Sequence, residues 1–237
     1  MQRITGEYCP VVQETCLYFV DIYGNKIPEN PKTSNRCGEF KKPSRCLSKH
    51  LIHKDFCIDT YELPNIKGRI PQSWMSWYDV KKTCEGDGKR LCTKSEWTFS
   101  CEGEAMQPYP YGDGYHRDTT ACNFDRVLGQ KEAAAIEQCK HFPVSPDKPC
   151  RKYLDSLLVP SGSMETCQSP FKVFDQVGNL DEFVVNESGH PFKSALVSGH
   201  VFGVRNACRP MTDAHNEFFS WWETSGRCCS DVNDKWK

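Results

Sequence analysis

No run of apolar residues in the 237-residue chain approaches the ~20 needed to span a bilayer, so membrane insertion is not expected. A surplus of charge is missing too: 30 Lys and Arg stand against 31 Asp and Glu, a formal net charge of -1. With no dense basic run to track a phosphate backbone, nucleic acid is excluded as a partner. The first residues, Met1-Gln2-Arg3-Ile4-Thr5-Gly6, lack the apolar stretch of a secretory leader. Cys-x-x-Cys pairs are absent, which argues against structural zinc, whose thiolates usually come closely spaced.

What the chain has in abundance is cysteine. Fifteen are spread over positions 9 to 229. That pattern reads as a disulfide framework formed in an oxidising compartment, and the odd count leaves at least one thiol free or bonded to another molecule. The expected location is therefore secreted, periplasmic or extracellular, with a leader already removed. Hydrophobic residues at 38% can supply a real core.

Residues 1–56 form a cysteine-rich segment with Cys9, Cys16, Cys37 and Cys46 among turn formers, including Pro28-Glu29-Asn30-Pro31. Its strand-like run, Cys16-Leu17-Tyr18-Phe19-Val20-Asp21-Ile22-Tyr23, ends at Gly24-Asn25 and predicts a hairpin. Residues 57–237 form the main domain. Two capping boxes, Ser76-Trp77-Tyr78-Asp79 and Thr93-Lys94-Ser95-Glu96, start short helices whose buried stripes are Trp77, Val80, Cys84 and Trp97, Cys101. Gly86-Asp87-Gly88 stops the first. Residues 102–173 are irregular apart from a helix predicted over 130–139, and Cys122, Cys139, Cys150 and Cys167 look like its staples. Short apolar runs at Phe183-Val184-Val185 and Ala195-Leu196-Val197 suit a small twisted sheet.

Several ordered segments carry a family resemblance: Phe56-Cys57-Ile58-Asp59-Thr60-Tyr61-Glu62, Lys89-Arg90-Leu91-Cys92-Thr93-Lys94-Ser95-Glu96-Trp97, Tyr109-Pro110-Tyr111-Gly112 with Cys122-Asn123, and Val177-Gly178-Asn179-Leu180-Asp181-Glu182. In this order they resemble the formylglycine-generating enzyme domain of sulfatase-modifying factors, from about residue 56 onward. The resemblance implies an α+β, C-type-lectin-like fold, loop-rich and disulfide-stapled, with small twisted sheets and few helices. It also implies a disulfide from Cys84 to Cys228, worth roughly 3 to 5 kcal/mol in the chain-entropy model. The family partner of Cys101 would fall at Asp213, so Cys101 must pair elsewhere; Cys229 is the expectation.

By the same resemblance, side chains of Asp175 and Glu182 and carbonyls of Gly178 and Leu180 would hold one structural calcium ion, a cation that takes hard oxygen donors around a tight turn. Asn123 with the Phe124 carbonyl resembles part of a second calcium site. The family oxidises a substrate cysteine with copper(I) held by two cysteines spaced Cys-x4-Cys, and thiolates suit that soft ion. The matching stretch here is Ser198-Gly199-His200-Val201-Phe202-Gly203-Val204-Arg205-Asn206-Ala207-Cys208, which puts Gly203 at the first cysteine and Cys208 at the second. His200, Ala207 and Asp181 replace the family's serine, tyrosine and tryptophan.

Copper chemistry is therefore not expected. The leading expectation is a non-catalytic binding or structural module, in an envelope or extracellular setting, that meets a protein or glycan ligand on its loop surface. Trp221-Trp222 could offer a ligand platform or fill the core, and core is the expectation. The alternative is an oxygen-dependent metal oxidase, copper or non-heme iron, with a rebuilt groove of His200, Asp181 and Cys208, to which His215 could add a nitrogen. A role as an assembly component of a larger envelope complex is the third reading.

Overall fold

The computed structural model describes residues 1–28, 36–141, 143–203 and 205–232. Of the turn signal at Pro28-Glu29-Asn30-Pro31, all but Pro28 lies outside the described residues. The central sheet is four-stranded, in the order β1 (Gln2–Tyr8), β7 (Ile52–Ile58), β12 (Cys228–Asp231), β8 (Arg90–Leu91). All three pairings are antiparallel. The cysteine-rich N-terminal segment thus supplies an edge strand of the main sheet, and residue 56 falls inside β7. Between these two strands lie β2 (Val12–Gln13) with β6 (Arg45–Cys46), and β3 (Cys16–Val20) flanked by β4 (Lys26–Ile27) and β5 (Cys37–Phe40). The β3–β4 hairpin turns at the predicted glycine and asparagine.

Both capping boxes close as their sequence demands. In α1 (Trp77–Gly86) Ser76 Oγ accepts from the Asp79 N–H while Asp79 reaches back, and Trp77, Val80 and Cys84 are the buried face. In α2 (Lys94–Glu102) Thr93 and Glu96 do the same, and the helix is buried nearly all round. Its Trp97 and Phe99 stand in the largest core cluster with Ile4, Phe56 and Tyr109. The predicted third helix is α3 (Gln130–Gln138). A fourth, α4 (Pro149–Asp155), was missed by the sequence reading; Pro149 begins it, where a missing N–H costs nothing.

The second sheet positions the functional candidates. Its order is β10 (Ser194–Val197), β9 (Asp181–Val185), β11 (Thr224–Ser225). β10 runs antiparallel to β9, and β11 parallel. Successive side chains of β9 point to opposite faces, and both faces are covered: Val184 lies in the α2 core cluster, Phe183 in one built on Trp77, Val80 and Leu196.

Seven disulfides link fourteen of the cysteines. Cys84 is bonded to Cys228, which ties α1 to β12. The irregular region is stapled within itself by Cys122–Cys167 and Cys139–Cys150, and the N-terminal segment by Cys9–Cys46 and Cys16–Cys37. The expectation for Cys101 is corrected: it is bonded to Cys208, and Cys229 takes Cys92. Ladder register is consistent with the second pairing: Cys229 lies opposite Arg90, and Cys92, two residues further on, shares that face and meets it on the diagonal. Cys57, buried in β7, keeps a free thiol.

Candidate functional site

The copper site implied by resemblance does not fit these residues. Cys208 Sγ is consumed by the bond to Cys101, which removes Cys208 from the candidate groove. At the other ligand position Gly203 has φ +74°, and a Cβ there would stand 1.8 Å from Asp125 Oδ1. Asp125 is held in turn by Arg36 Nε at 3.0 Å and Arg117 Nε at 2.8 Å. A side chain at 203 would have to dislodge an anchored carboxylate and adopt a left-handed backbone that β-carbons resist. Of the two tryptophans, Trp222 is core at 1% exposed, and Trp221 is partly buried against the same cluster.

Asp181 and His200 do come together, and a residue that the sequence reading overlooked joins them. Ligand atoms of Asp181, His200 and Glu223 all lie within 4.8 Å of one another. Pairing of β9 with β11 brings the backbones of the two acids together, because Thr224 is the ladder partner of Asp181 and the Asp181 N–H donates to the Glu223 carbonyl at 2.8 Å. His200 arrives on the loop after β10, packed edge-on against Trp222 and Phe202. Its Nε2 stands 3.5 Å from Glu223 Oε2, and among the described residues its Nδ1 has a long 3.4 Å contact from the Phe202 N–H. Arg205 Nη2 donates to both Asp181 oxygens, at 3.0 and 2.8 Å. His215, the other nitrogen considered, is stacked on Phe219 instead and is not part of the group.

Burial governs the charges here. It pushes Glu223 up to about 8, with repulsion from Asp181 adding to it, and Asp181 up to about 6 against the opposing pull of Arg205. Burial also pulls His200 down to about 3, so its imidazole is neutral at physiological pH.

Glu182, on the other face of β9, stands with the turn before the strand, which supplies the remaining residues expected to bind calcium. Glu182 is gripped by Arg227, with Nε to Oε2 at 2.7 Å and Nη2 to Oε1 at 2.6 Å, and Trp97 Nε1 adds a third bond at 2.9 Å. Asp175 Oδ2 accepts from the Gly162 N–H at 2.7 Å, and the Gly178 carbonyl accepts from Ser198 Oγ at 3.2 Å. Asp175, Gly178 and Asn179 all have positive φ, which makes the tight turn. Glu62 joins from below: Asn179 Nδ2 donates to its Oε2 at 2.9 Å, while its buried Oε1 has no partner among the described residues. Three buried carboxylates thus face one guanidinium. Burial, then repulsion from Asp175 and Glu182, raises Glu62 well above the usual range, and burial takes Asp175 to about 6. Surplus negative charge and an orphaned oxygen suit a hard cation, although Glu182 is already shared with Arg227. Leu180 is buried at the turn's end. Asn123 fits a second ion poorly, because its Oδ1 accepts from Arg126 Nε at 2.8 Å and its Nδ2 donates to Asn179.

With this geometry in place, comparison is informative. Residues 21–218 match the sulfatase-modifying factor enzyme 1-like domain. The chain belongs to this family, and the match reaches further toward the N-terminus than the motifs alone. Among solved structures it is similar to PvdO from Pseudomonas aeruginosa, at 12% identity and a TM-score of 0.53, covering 97% of this chain and 94% of that one. CarF is similar at 11% identity and a TM-score of 0.55, covering 98% of both chains. At such identities these likenesses speak for the fold alone, the disulfide-stapled α+β arrangement expected from the motifs. No curated protein matches the chain.

Proposed function

We propose that this chain is a binding or structural module of the sulfatase-modifying family, working in an oxidising compartment, and that it makes no formylglycine. One observation carries the reading: the thiolate that would be the remaining copper ligand, Cys208, is spent as a structural crosslink to Cys101 in α2. Seven disulfides support the compartment. Among the described residues no helix is long and apolar enough to cross a membrane. A protein or glycan ligand would meet the irregular loop surface, where the strongly exposed Phe218 packs against Tyr78 of α1 with ring centroids 5.0 Å apart. Structural calcium at Asp175, Gly178, Leu180 and Glu182 belongs to this reading, supported by the carboxylate surplus around Arg227.

The test is direct. The purified chain is supplied with copper(I), oxygen and a cysteine-containing sulfatase peptide, and the peptide is examined by mass spectrometry for the aldehyde. No aldehyde is expected. Copper-dependent turnover that disappears in Cys208→Ser but persists in Cys101→Ser would overturn the reading, since only a free Cys208 thiolate behaves that way.

A further inference from the structure

We propose that Asp181, His200 and Glu223 bind one divalent transition-metal ion of the zinc, manganese or iron(II) class. The inference goes beyond the module reading and does not depend on it.

Three features of the cluster point to an ion. The first is convergence: donor atoms from a strand end, a strand-preceding residue and a separate loop lie within 4.8 Å of one another. Asp181 is held in the β9–β11 ladder, and the backbone of Glu223, just before β11, is tied to it by the Asp181 N–H. The second is depth. Asp181 is 1% and His200 8% exposed and the Glu223 side chain is 20% exposed, so the cluster is set into the protein rather than spread on its surface, and taking the Asp181 carboxylate out of water is costly without a cation to face it. Arg205 answers for one negative charge only.

The third is the histidine itself. It is more than nine-tenths buried and aimed at the two carboxylates, yet Nε2 at 3.5 Å from Glu223 is too far for a good hydrogen bond and, among the described residues, Nδ1 has the 3.4 Å contact to Phe202 alone. Either ring nitrogen of an imidazole so placed is a donor that borderline metals accept, and it stands within ligand reach of both carboxylates. Arg205, which binds both Asp181 oxygens through a single nitrogen, leaves that carboxylate lone pairs to share and holds its orientation.

Ligand chemistry narrows the ion. One nitrogen and two carboxylate oxygens suit borderline divalent metals; calcium prefers oxygen alone, and copper(I) prefers sulfur. The ion would fasten β9, β11 and the loop after β10 at one point. The competing arrangement is a single proton held between Glu223 and His200, which needs no metal.

The full chain, stripped of metal and kept in its oxidised form, would be titrated with zinc(II), manganese(II) and, under anaerobic conditions, iron(II) by calorimetry. One equivalent of at least one of them is expected to bind. Binding should be lost in His200→Gln and in Glu223→Gln, the second of which is isosteric, and retained in Glu137→Gln, an exposed acid of α3. Near-UV circular dichroism of the metal-free variants checks that the fold survives; if either fails to fold, Asp181→Asn takes its place. No stoichiometric binding by any of the three ions, or binding that survives in the folded variants, would overturn the site and leave the shared proton.

Discussion

Asp181 and Glu182 are consecutive residues of one strand, yet they look into opposite halves of the protein, and the two halves treat a buried acid differently. Glu182 meets a guanidinium that is as buried as itself, bound through two nitrogens to two oxygens, with an indole N–H completing its shell. Asp181 meets Arg205 through one nitrogen, on a loop side chain that is 21% exposed, and the backbone N–H of Gly199, beside a second acid and a histidine with long contacts. The planar fork of arginine rewards the first geometry and leaves the second incomplete. The first face is built as a fixed structural joint, whereas the second retains donor capacity for something more.

The largest expected effect comes from breaking the complete pair. Arg227→Met strands Glu182 without its partner and should cost about 3–5 kcal/mol in urea denaturation. Removing Glu182 as well, in Arg227→Met with Glu182→Met, should recover part of that loss, because no charge is then left buried alone. Equal losses in the single and double variants would mean that packing, not charge, fixes this face. Arg205→Met, measured on metal-free protein, should cost less, roughly 1.5–3 kcal/mol, since only hydrogen bonds from one nitrogen to a charged acceptor are lost. A loss as large as that of Arg227→Met would erase the contrast.

A pH series sharpens the first face further. Glu62 is raised in the folded state, so the native protein keeps a proton that the unfolded chain releases above about pH 4.3. That contribution is fully present at lower pH and fades as pH rises, at no more than about 1.4 kcal/mol per pH unit. In excess chelator, Glu62→Gln should therefore lose less stability than the unaltered chain on going from pH 5 to pH 7; parallel curves would show that Glu62 is ionised throughout. Smallest is the effect of calcium itself. Arg227 already answers part of the charge, so chelation at neutral pH should lower the melting temperature by only about 2–4 °C, corresponding to ~1 kcal/mol. An unchanged melting curve, with calcium added back in millimolar excess, would remove the ion from this turn.

Local chemistry was readable from sequence, and assembly was not. Ser76 with Asp79 and Thr93 with Glu96 lie three residues apart, so each helix start needed no knowledge of the rest of the chain. The Gly178-Asn179 turn was equally local. Glu223 was invisible because its role depends on β11 lying parallel to β9, a pairing between segments some forty residues apart in which β11 is two residues long. An acid directly following two tryptophans and preceding a buried strand was the one available hint. The seven-residue α4 gave too short a periodic pattern to stand out. Cysteine connectivity needs the third dimension altogether: the register of β12 against β8, not spacing, decides that Cys229 meets Cys92 and leaves Cys101 to Cys208.

The pairing of β1 and β12 on either side of β7 has a mechanical consequence. Both flank strands run antiparallel to β7, with Gln2 and Cys229 level with Ile58, so the two run in the same direction. Tension applied between the ends would drag β1 backward and β12 forward, a shearing load that strains many hydrogen bonds at once instead of unzipping them in turn. β12 is riveted to its surroundings through Cys228 and Cys229. The strand that yields first under such a pull is β1, and its release would stop at Cys9, where the bond to Cys46 takes up the load.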